Sequence, residues 1–367
     1  MKRKVLSCRT AAFLSCVVLA LLMAAALSCA PARGLSANAA PAGGNGLLEI
    51  ILIDVGQGDS ALIKSPDGKF LLIDSGEQRA SRAVLEAIKD SGASRIDYIV
   101  STHPHSDHIG GFSGILGKIE IGEVFDLGKP HTTSTYISYL ELVRSCGARF
   151  CLARAGASFR LGSSVKVSFL WPKDDMPYDM NDSSCVLHIE YMQFDALFTG
   201  DIGSGPEGLL TDSGMVPDVE LLKVAHHGSR RSSSASFLEA ASPGLAVIQV
   251  GAGNDYGYPH PQAVERITAT DAELFRTDKD GSVIVTSDGT SWWARSEKGR
   301  AASGRTKENR AVAPVPTEVY VGSVNSAVFH LQGCDSVKDI LKANLVTYPD
   351  REDTIRKGKR PCKVCNP

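Results

Sequence analysis

The chain has 367 residues, 43% hydrophobic and 22% charged, long enough for one large layered domain with a smaller appendage and too apolar for disorder throughout. A formal net charge of -2 excludes a global field that draws the molecule onto polyanions, so any grip on nucleic acid must come from a local basic surface.

At the N-terminus Lys2, Arg3, Lys4 and Arg9 precede an uncharged stretch from Ala11 to Ser28, the layout of an export signal over residues 1–29. Ala26-Leu27-Ser28-Cys29 resembles a bacterial lipobox, in which Cys29 would carry lipid. Cleavage among Ala37 to Ala42 and an uncleaved anchor are the alternatives. Each implies an extracytoplasmic protein, secreted or anchored, that touches membrane only through its N-terminal lipid or anchor. Residues 30–46 are rich in Ala, Gly and Pro and read as a flexible spacer.

The folded body is predicted over residues 47–295. Apolar runs at Leu48 to Asp54, Ala61 to Ile63 and Phe70 to Asp74 read as strands, Ser81 to Ser91 as a helix, and Tyr98 to Thr102 as a further strand. The pattern returns with strands at Val165 to Leu170, Cys185 to Tyr191, Ala196 to Thr199, Glu220 to Ala225, Ala246 to Val250 and Ser282 to Thr286. Antiparallel groups alternating with helices fit two sheets covered by outer helices, an α+β sandwich, better than a doubly wound parallel sheet. Residues 296–318 lack large apolar side chains and read as a linker, and residues 319–367 form a unit too small to fold on burial alone. Of nine cysteines, Cys146, Cys151 and Cys185 fall in the body, where an odd number argues for small buried thiols rather than a disulfide framework.

One segment carries chemistry. His103-Pro-His105-Ser-Asp107-His108 follows a predicted strand and places three imidazoles and a carboxylate within six residues. Those donors suit Zn²⁺, Mn²⁺ or Fe, with His103 and His105 facing one ion and Asp107 and His108 a second. The cluster resembles the H-x-H-x-D-H signature of the metallo-β-lactamase superfamily, whose fold is an αββα sandwich. Further motifs follow in the same order. Leu71-Leu-Ile-Asp74-Ser-Gly76 resembles the motif whose Asp supports the site from behind the ligands. Leu197-Phe-Thr-Gly-Asp201 resembles the strand end whose Asp bridges both ions, and Lys223-Val-Ala-His226-His227-Gly-Ser229 the motif whose second His is a ligand. The superfamily usually has a further His between the cluster and the bridging Asp. Here that region reads Met180-Asn181-Asp182-Ser183-Ser184-Cys185, which leaves Asn181, Asp182 or water to complete the first site, while His188 reads as a core residue.

Asp54-Val-Gly-Gln-Gly-Asp59-Ser60, Tyr256-Gly-Tyr-Pro-His260-Pro and Arg276-Thr-Asp278-Lys-Asp-Gly281 narrow the resemblance to the C-terminal domain of ComEC-type DNA-uptake proteins, over roughly Leu47 to Trp293. In that family the domain accompanies the membrane segments of a channel, so the chain reads as a free-standing relative. Tyr258 stands where relatives tend to have His.

The resemblance implies a hydrolase with two divalent ions, Zn or Mn, in which metal-bound hydroxide attacks phosphorus. Asp107 and His226 are the catalytic candidates, with His226 donating to a phosphate oxygen or to the leaving group. Lys223 is expected to contact phosphate or solvent, and Asp59 and His260 to sit at the rim. DNA or another phosphodiester is the expected partner. A phosphorylcholine hydrolase and a catalytically idle DNA-binding surface lipoprotein are the alternatives, and β-lactam hydrolysis ranks last.

In the tail, His330-Leu-Gln-Gly-Cys334 and Cys362-Lys-Val-Cys365 form two close pairs, the arrangement of a closed structural Zn²⁺ site, with a Cys362–Cys365 disulfide as the alternative in an oxidising compartment. The flanking sequence resembles the small metal-binding domain of the Ada DNA-repair protein, with His330 where Ada has Cys. That resemblance implies a zinc fold used for docking or DNA binding rather than methyl transfer.

Overall fold

The computed structural model describes residues 46–173 and 179–307, and toward the C-terminus residues 320–331, 334–338, 340–341, 344–348, 354–355 and 358–365. The expected leader, its lipobox and nearly all of the spacer lie outside the described residues. The chain divides into two compact units, Met1–Thr306 and Lys307–Pro367.

In the first unit, six strands build one side: β1 (Leu48–Leu52), β2 (Ala61–Lys64), β3 (Phe70–Ile73), β4 (Arg95–Val100), β5 (Glu120–Asp126) and β6 (Arg149–Leu152). The chain then crosses to a second sheet of β7 (Ser158–Leu161), β8 (Val165–Trp171), β9 (Val186–Tyr191), β10 (Phe194–Phe198), β11 (Leu221–Lys223), β12 (Leu245–Ile248) and β13 (Glu273–Arg276). It returns to the first sheet as β14 (Val283–Ser287), β15 (Ser291–Ser296) and β16 (Ala301–Arg305). The strand orders are β16-β15-β14-β1-β2-β3-β4-β5-β6 and β13-β12-β11-β10-β9-β8-β7.

The central strands divide their side chains between two cores, which explains the near-continuous apolar runs. In β3, Leu71 and Ile73 meet the other sheet, whereas Phe70 and Leu72 pack with Val84 and Ile88 of helix α1 (Ser81–Asp90) and with Tyr139 and Val143 of α2 (Ser134–Ser145). In β12, Leu245 and Val247 face the central core, and Ala246 and Ile248 lie under α3 (Ser204–Asp212), α4 (Ala235–Ala241) and α5 (Pro261–Thr268). Three apolar layers separate four structural ones, and the architecture is the αββα sandwich.

Two expectations change. The sheets are not simply antiparallel: β3 to β6 run parallel in one and β10 to β13 in the other. Parallel strands need crossovers, and the helices supply them. The body also runs on to Thr306 rather than ending at Arg295, because Ala301–Arg305, assigned to the linker on composition, pairs antiparallel with β15 as an edge strand. Its lack of bulk is a packing requirement: a Cβ on Gly304 would stand 2.7 Å from the indole of Trp292.

In the second unit, β17 (Tyr320–Ser323), β18 (Val328–Leu331), β19 (Leu345–Tyr348) and β20 (Arg360–Pro361) form a sheet of order β19-β17-β18-β20. Val321, Phe329, Cys334 and Cys362 are buried in it. Among the described residues no helix is long and apolar enough to cross a membrane.

Candidate metal centre

Loops leaving the carboxyl ends of parallel strands meet at one end of the body, the place where such sheets hold ligands. Asp74 follows β3, His103 and His105 follow β4, Asp201 follows β10, and His226 and His227 follow β11. Asp107 and His108 sit on the single helical turn Ser106–Ile109. The loop from β1 to β2 lies against that turn, where Asp59 N–H donates to the Asp107 carbonyl at 3.2 Å.

Asp201 is the hub. Its Oδ2 lies 3.3 Å from His108 Nε2, 3.4 Å from His227 Nε2, and 4.0 Å from both His103 Nε2 and His226 Nε2. His103 Nε2 is 3.0 Å from His105 Nδ1, and Asp107 Oδ2 is 3.3 Å from His227 Nε2. The donors thus gather around Asp201, with His103 beside His105 and Asp107 beside His227. The donor atoms of His103, His108 and Asp201 lie within 4.8 Å of one another, as do those of Asp107, His108 and His227.

The far ring nitrogens are fixed from behind. His108 Nδ1 donates to Asp74 Oδ2 at 2.8 Å, and His227 Nδ1 to the Gln249 carbonyl at 3.0 Å. Asp74 in turn accepts from the Thr102 N–H at 2.8 Å and hydroxyl at 2.7 Å. Each imidazole thus turns its Nε2 lone pair toward carboxylate oxygens, acceptor against acceptor. His108 Nε2, His227 Nε2 and Asp201 Oδ1 are buried without a hydrogen-bond partner. That arrangement calls for a cation or a proton between the groups. The charge balance agrees: burial alone would lower His108 and His227, but Asp201 with Asp107 and Asp74, or with Asp59, outweighs it and raises both imidazoles well above their usual range. His103 is held well below that range by burial and by His108. The donors fit a pair of divalent ions.

Consecutive residues His226 and His227 both have left-handed backbone, φ 50° and 52°, strain of the kind stored at functional sites. The turn sends His227 toward Asp107 and Asp59, and His226 toward the open side, where its Nε2 is 3.1 Å from the Tyr258 hydroxyl. A cleft of about 610 Å³ opens there, lined by His105, Asp107, Asn181, Asp201, His226 and Tyr258 among others.

Several sequence expectations are corrected. Lys223 is neither solvated nor free for phosphate: it is 2% exposed and forms a buried ion pair with Asp59. Asp59 is therefore no rim residue but an interior carboxylate, 3.3 Å from His227 Nδ1. Asp182 turns away from the site, its Oδ1 accepting the Gly203 N–H at 2.8 Å. Asn181 remains at the cleft, with its buried Oδ1 unpartnered. His188 bonds Asp195 at 2.8 Å inside the second sheet. His260 stays half-exposed and accepts the Arg230 N–H at 3.2 Å. Sequence reading missed Thr102, Gln249 and His131, which lines the cleft with its ring 6.1 Å from that of His105. The first two act through short polar contacts common to any strand end, and a lone His carries no motif.

In the second unit His330, Cys334, Cys362 and Cys365 bring four donor atoms within 4.8 Å of one another, and all the described cysteines are free thiols. His330 Nδ1 is buried and unpartnered. Backbone N–H groups of Cys365 and Val364 hold the Cys362 thiol below its usual range. This donor set fits one tetrahedral ion.

Residues 53–124 match the model of the Metallo-beta-lactamase superfamily, and the chain carries a metallo-β-lactamase domain. Its relatives include proteins named for competence and recombination. Competence protein ComA of Neisseria gonorrhoeae is 33% identical over 232 residues, 63% of this chain and 31% of that protein. ComE operon protein 3 of Bacillus subtilis is 24% identical over 254 residues, 64% and 32% of the two chains. Recombination protein 2 of Haemophilus influenzae is 26% identical over 242 residues, 65% and 28%. The chain spans about a third of the length of these curated relatives.

Proposed function

We propose that the body is a metal-dependent phosphodiesterase that cuts DNA outside the cytoplasm, exported by its N-terminal leader. The observation that carries this reading is the convergence of unpartnered, buried His108 Nε2, His227 Nε2 and Asp201 Oδ1 beside an open cleft. In this reading His103, His105 and Asp201 hold one ion and Asp107, His108, His227 and Asp201 a second, Zn or Mn by donor chemistry. Asn181 Oδ1 takes the place of the missing His. When bound, two such ions supply an activated water and neutralise charge on phosphoryl oxygens.

The chain's own groups do the rest. Asp74 and Gln249 lock the tautomers of His108 and His227. The Lys223 ammonium neutralises Asp59 and keeps that carboxylate from competing for the ions. His226, kept neutral by burial, stands at the cleft wall with its Nε2 on the Tyr258 hydroxyl, and this pair holds a proton for the leaving oxygen. The choice of DNA is supported by relatives named for competence and recombination. The second unit is read as a structural zinc domain on its His-Cys donor set.

The test is cleavage of single- and double-stranded DNA by residues 30–367 with Mn²⁺ or Zn²⁺. His105→Ala is expected to lower the rate by orders of magnitude and to remove one bound ion. Unchanged cleavage in that variant refutes the metal reading, and cleavage of phosphorylcholine esters with DNA untouched refutes the substrate.

A further inference from the structure

One wall of the cleft extends past Tyr258 to Tyr256, which has no part in the chemistry proposed above. Asn254 clamps the loop that forms it: its Nδ2 donates to the carbonyls of Gly251 at 2.9 Å and Tyr258 at 2.7 Å, while its Oδ1 accepts the N–H groups of Tyr256 at 3.1 Å and Tyr258 at 3.0 Å. A loop pinned at four points presents two tyrosines. Their rings stack with centroids 5.6 Å apart and planes 13° apart, and both line the cleft beside Asp107 and Asp201. Tyr258 is partly packed against the body, but Tyr256 is 64% exposed and belongs to none of the three apolar cores. An exposed aromatic ring at the mouth of a polar cleft, on a loop braced by these hydrogen bonds, is preorganised for a flat apolar partner.

The surroundings narrow that partner. The His260 ring stands 5.0 Å from Tyr258, its Nδ1 bonded to the Arg230 backbone and its protonation opposed by partial burial and by the Arg230 guanidinium, and Arg230 and Arg231 are both exposed. From the metal donors outward, the surface runs from phosphate-type chemistry through an aromatic face to positive charge. A nucleic acid strand has the same alternation of phosphate, base and phosphate. In a duplex both faces of a base are already covered by its neighbours, so only an unpaired base can lie on a protein ring.

We propose that Tyr256 and Tyr258 form a stacking platform for an unpaired nucleobase next to the scissile phosphate, so that the substrate is a single strand or a frayed end rather than intact duplex. This rests on the phosphodiesterase reading of the cleft. The platform is tested apart from catalysis by fluorescence anisotropy without divalent metal, using the full chain and three labelled probes: oligodeoxythymidylate, an abasic oligonucleotide of equal length, and a blunt duplex. Tyr256→Ala is expected to weaken binding of oligodeoxythymidylate by about tenfold or more, the worth of one stacked base. It should leave the abasic probe unchanged, and Tyr256→Trp should retain affinity.

Equal loss on both single-stranded probes, no loss on either, or a wild-type chain that binds the abasic probe or the duplex as tightly as oligodeoxythymidylate overturns the platform. So does a chain that binds no oligonucleotide. Metal-dependent DNA cleavage together with Tyr256-independent binding removes the platform and leaves the phosphodiesterase standing. Tyr256-dependent binding without any metal-dependent cleavage does the reverse.

Discussion

At the scale of single residues, the centre depends as much on what stands behind the donors as on the donors. Asp74 accepts from His108 and from two donors of Thr102, which fixes the imidazole with its Nε2 toward Asp201. Asp74→Asn keeps size and removes charge, so the ring loses its strong acceptor and its fixed tautomer. Metal affinity at the centre should fall by about 10–100-fold while the fold persists, measured by chelator competition and circular dichroism. An affinity equal to wild type would show that Asp74 only shapes the strand end. His103-x-His105-x-Asp107-His108 was legible in the sequence because donor type and spacing are local properties. Lys223 and Asp59 were misread because neither has a local signature of burial. Their ion pair joins residues 164 positions apart, one in β11 and the other in the loop between β1 and β2 of the other sheet.

At the scale of elements, β5, β6, β7, β13 and β15 went unread, while the ten body strands named from the sequence were legible to within a few residues because burial on both faces demands unbroken apolar runs. Edge strand β16 was not, since small residues that fit against Trp292 look like a linker. The loop between β1 and β2 shows how elements hold one another. Gly58 has φ 127°, and a Cβ there would stand 2.1 Å from the Asp107 carbonyl oxygen. Gly58→Ala is expected to cost about 1–3 kcal/mol in backbone strain alone. It should also push the turn carrying Asp107 and His108 away from Asp201. The expected outcome is a lower thermal midpoint with metal bound than wild type, and a smaller gain in midpoint on adding metal. An unchanged metal-dependent gain would mean that the turn does not rely on this contact.

At the scale of the whole molecule, the two units rest on different physics. The body has three apolar cores, so any ions it holds would complete a site rather than a fold. The second unit has a small core, and its fold should depend on the ion that His330, Cys334, Cys362 and Cys365 can hold. Cys362→Ser, or a strong chelator, should therefore make the segment beyond residue 319 sensitive to protease and release one equivalent of metal. The body should stay resistant. Loss of both units together would show that the second ion is not confined to the tail.

By itself, the sequence determined the layered class of the body, the cluster from His103 to His108, the order of the supporting motifs and the His-Cys pairing of the tail. The class, the cluster and the tail pairing are written in periodicity or spacing along the chain, and the supporting motifs were read through the family resemblance. Only the tertiary structure decided that Asp201 is the hub of four imidazoles, that Asp182 faces away and Asn181 toward the cleft, that Lys223 is buried against Asp59, and that Tyr256 and Tyr258 stand beside the metal donors. Those relations join loops from two different sheets. Packing the sheets face to face creates them, and no property of any one segment contains them.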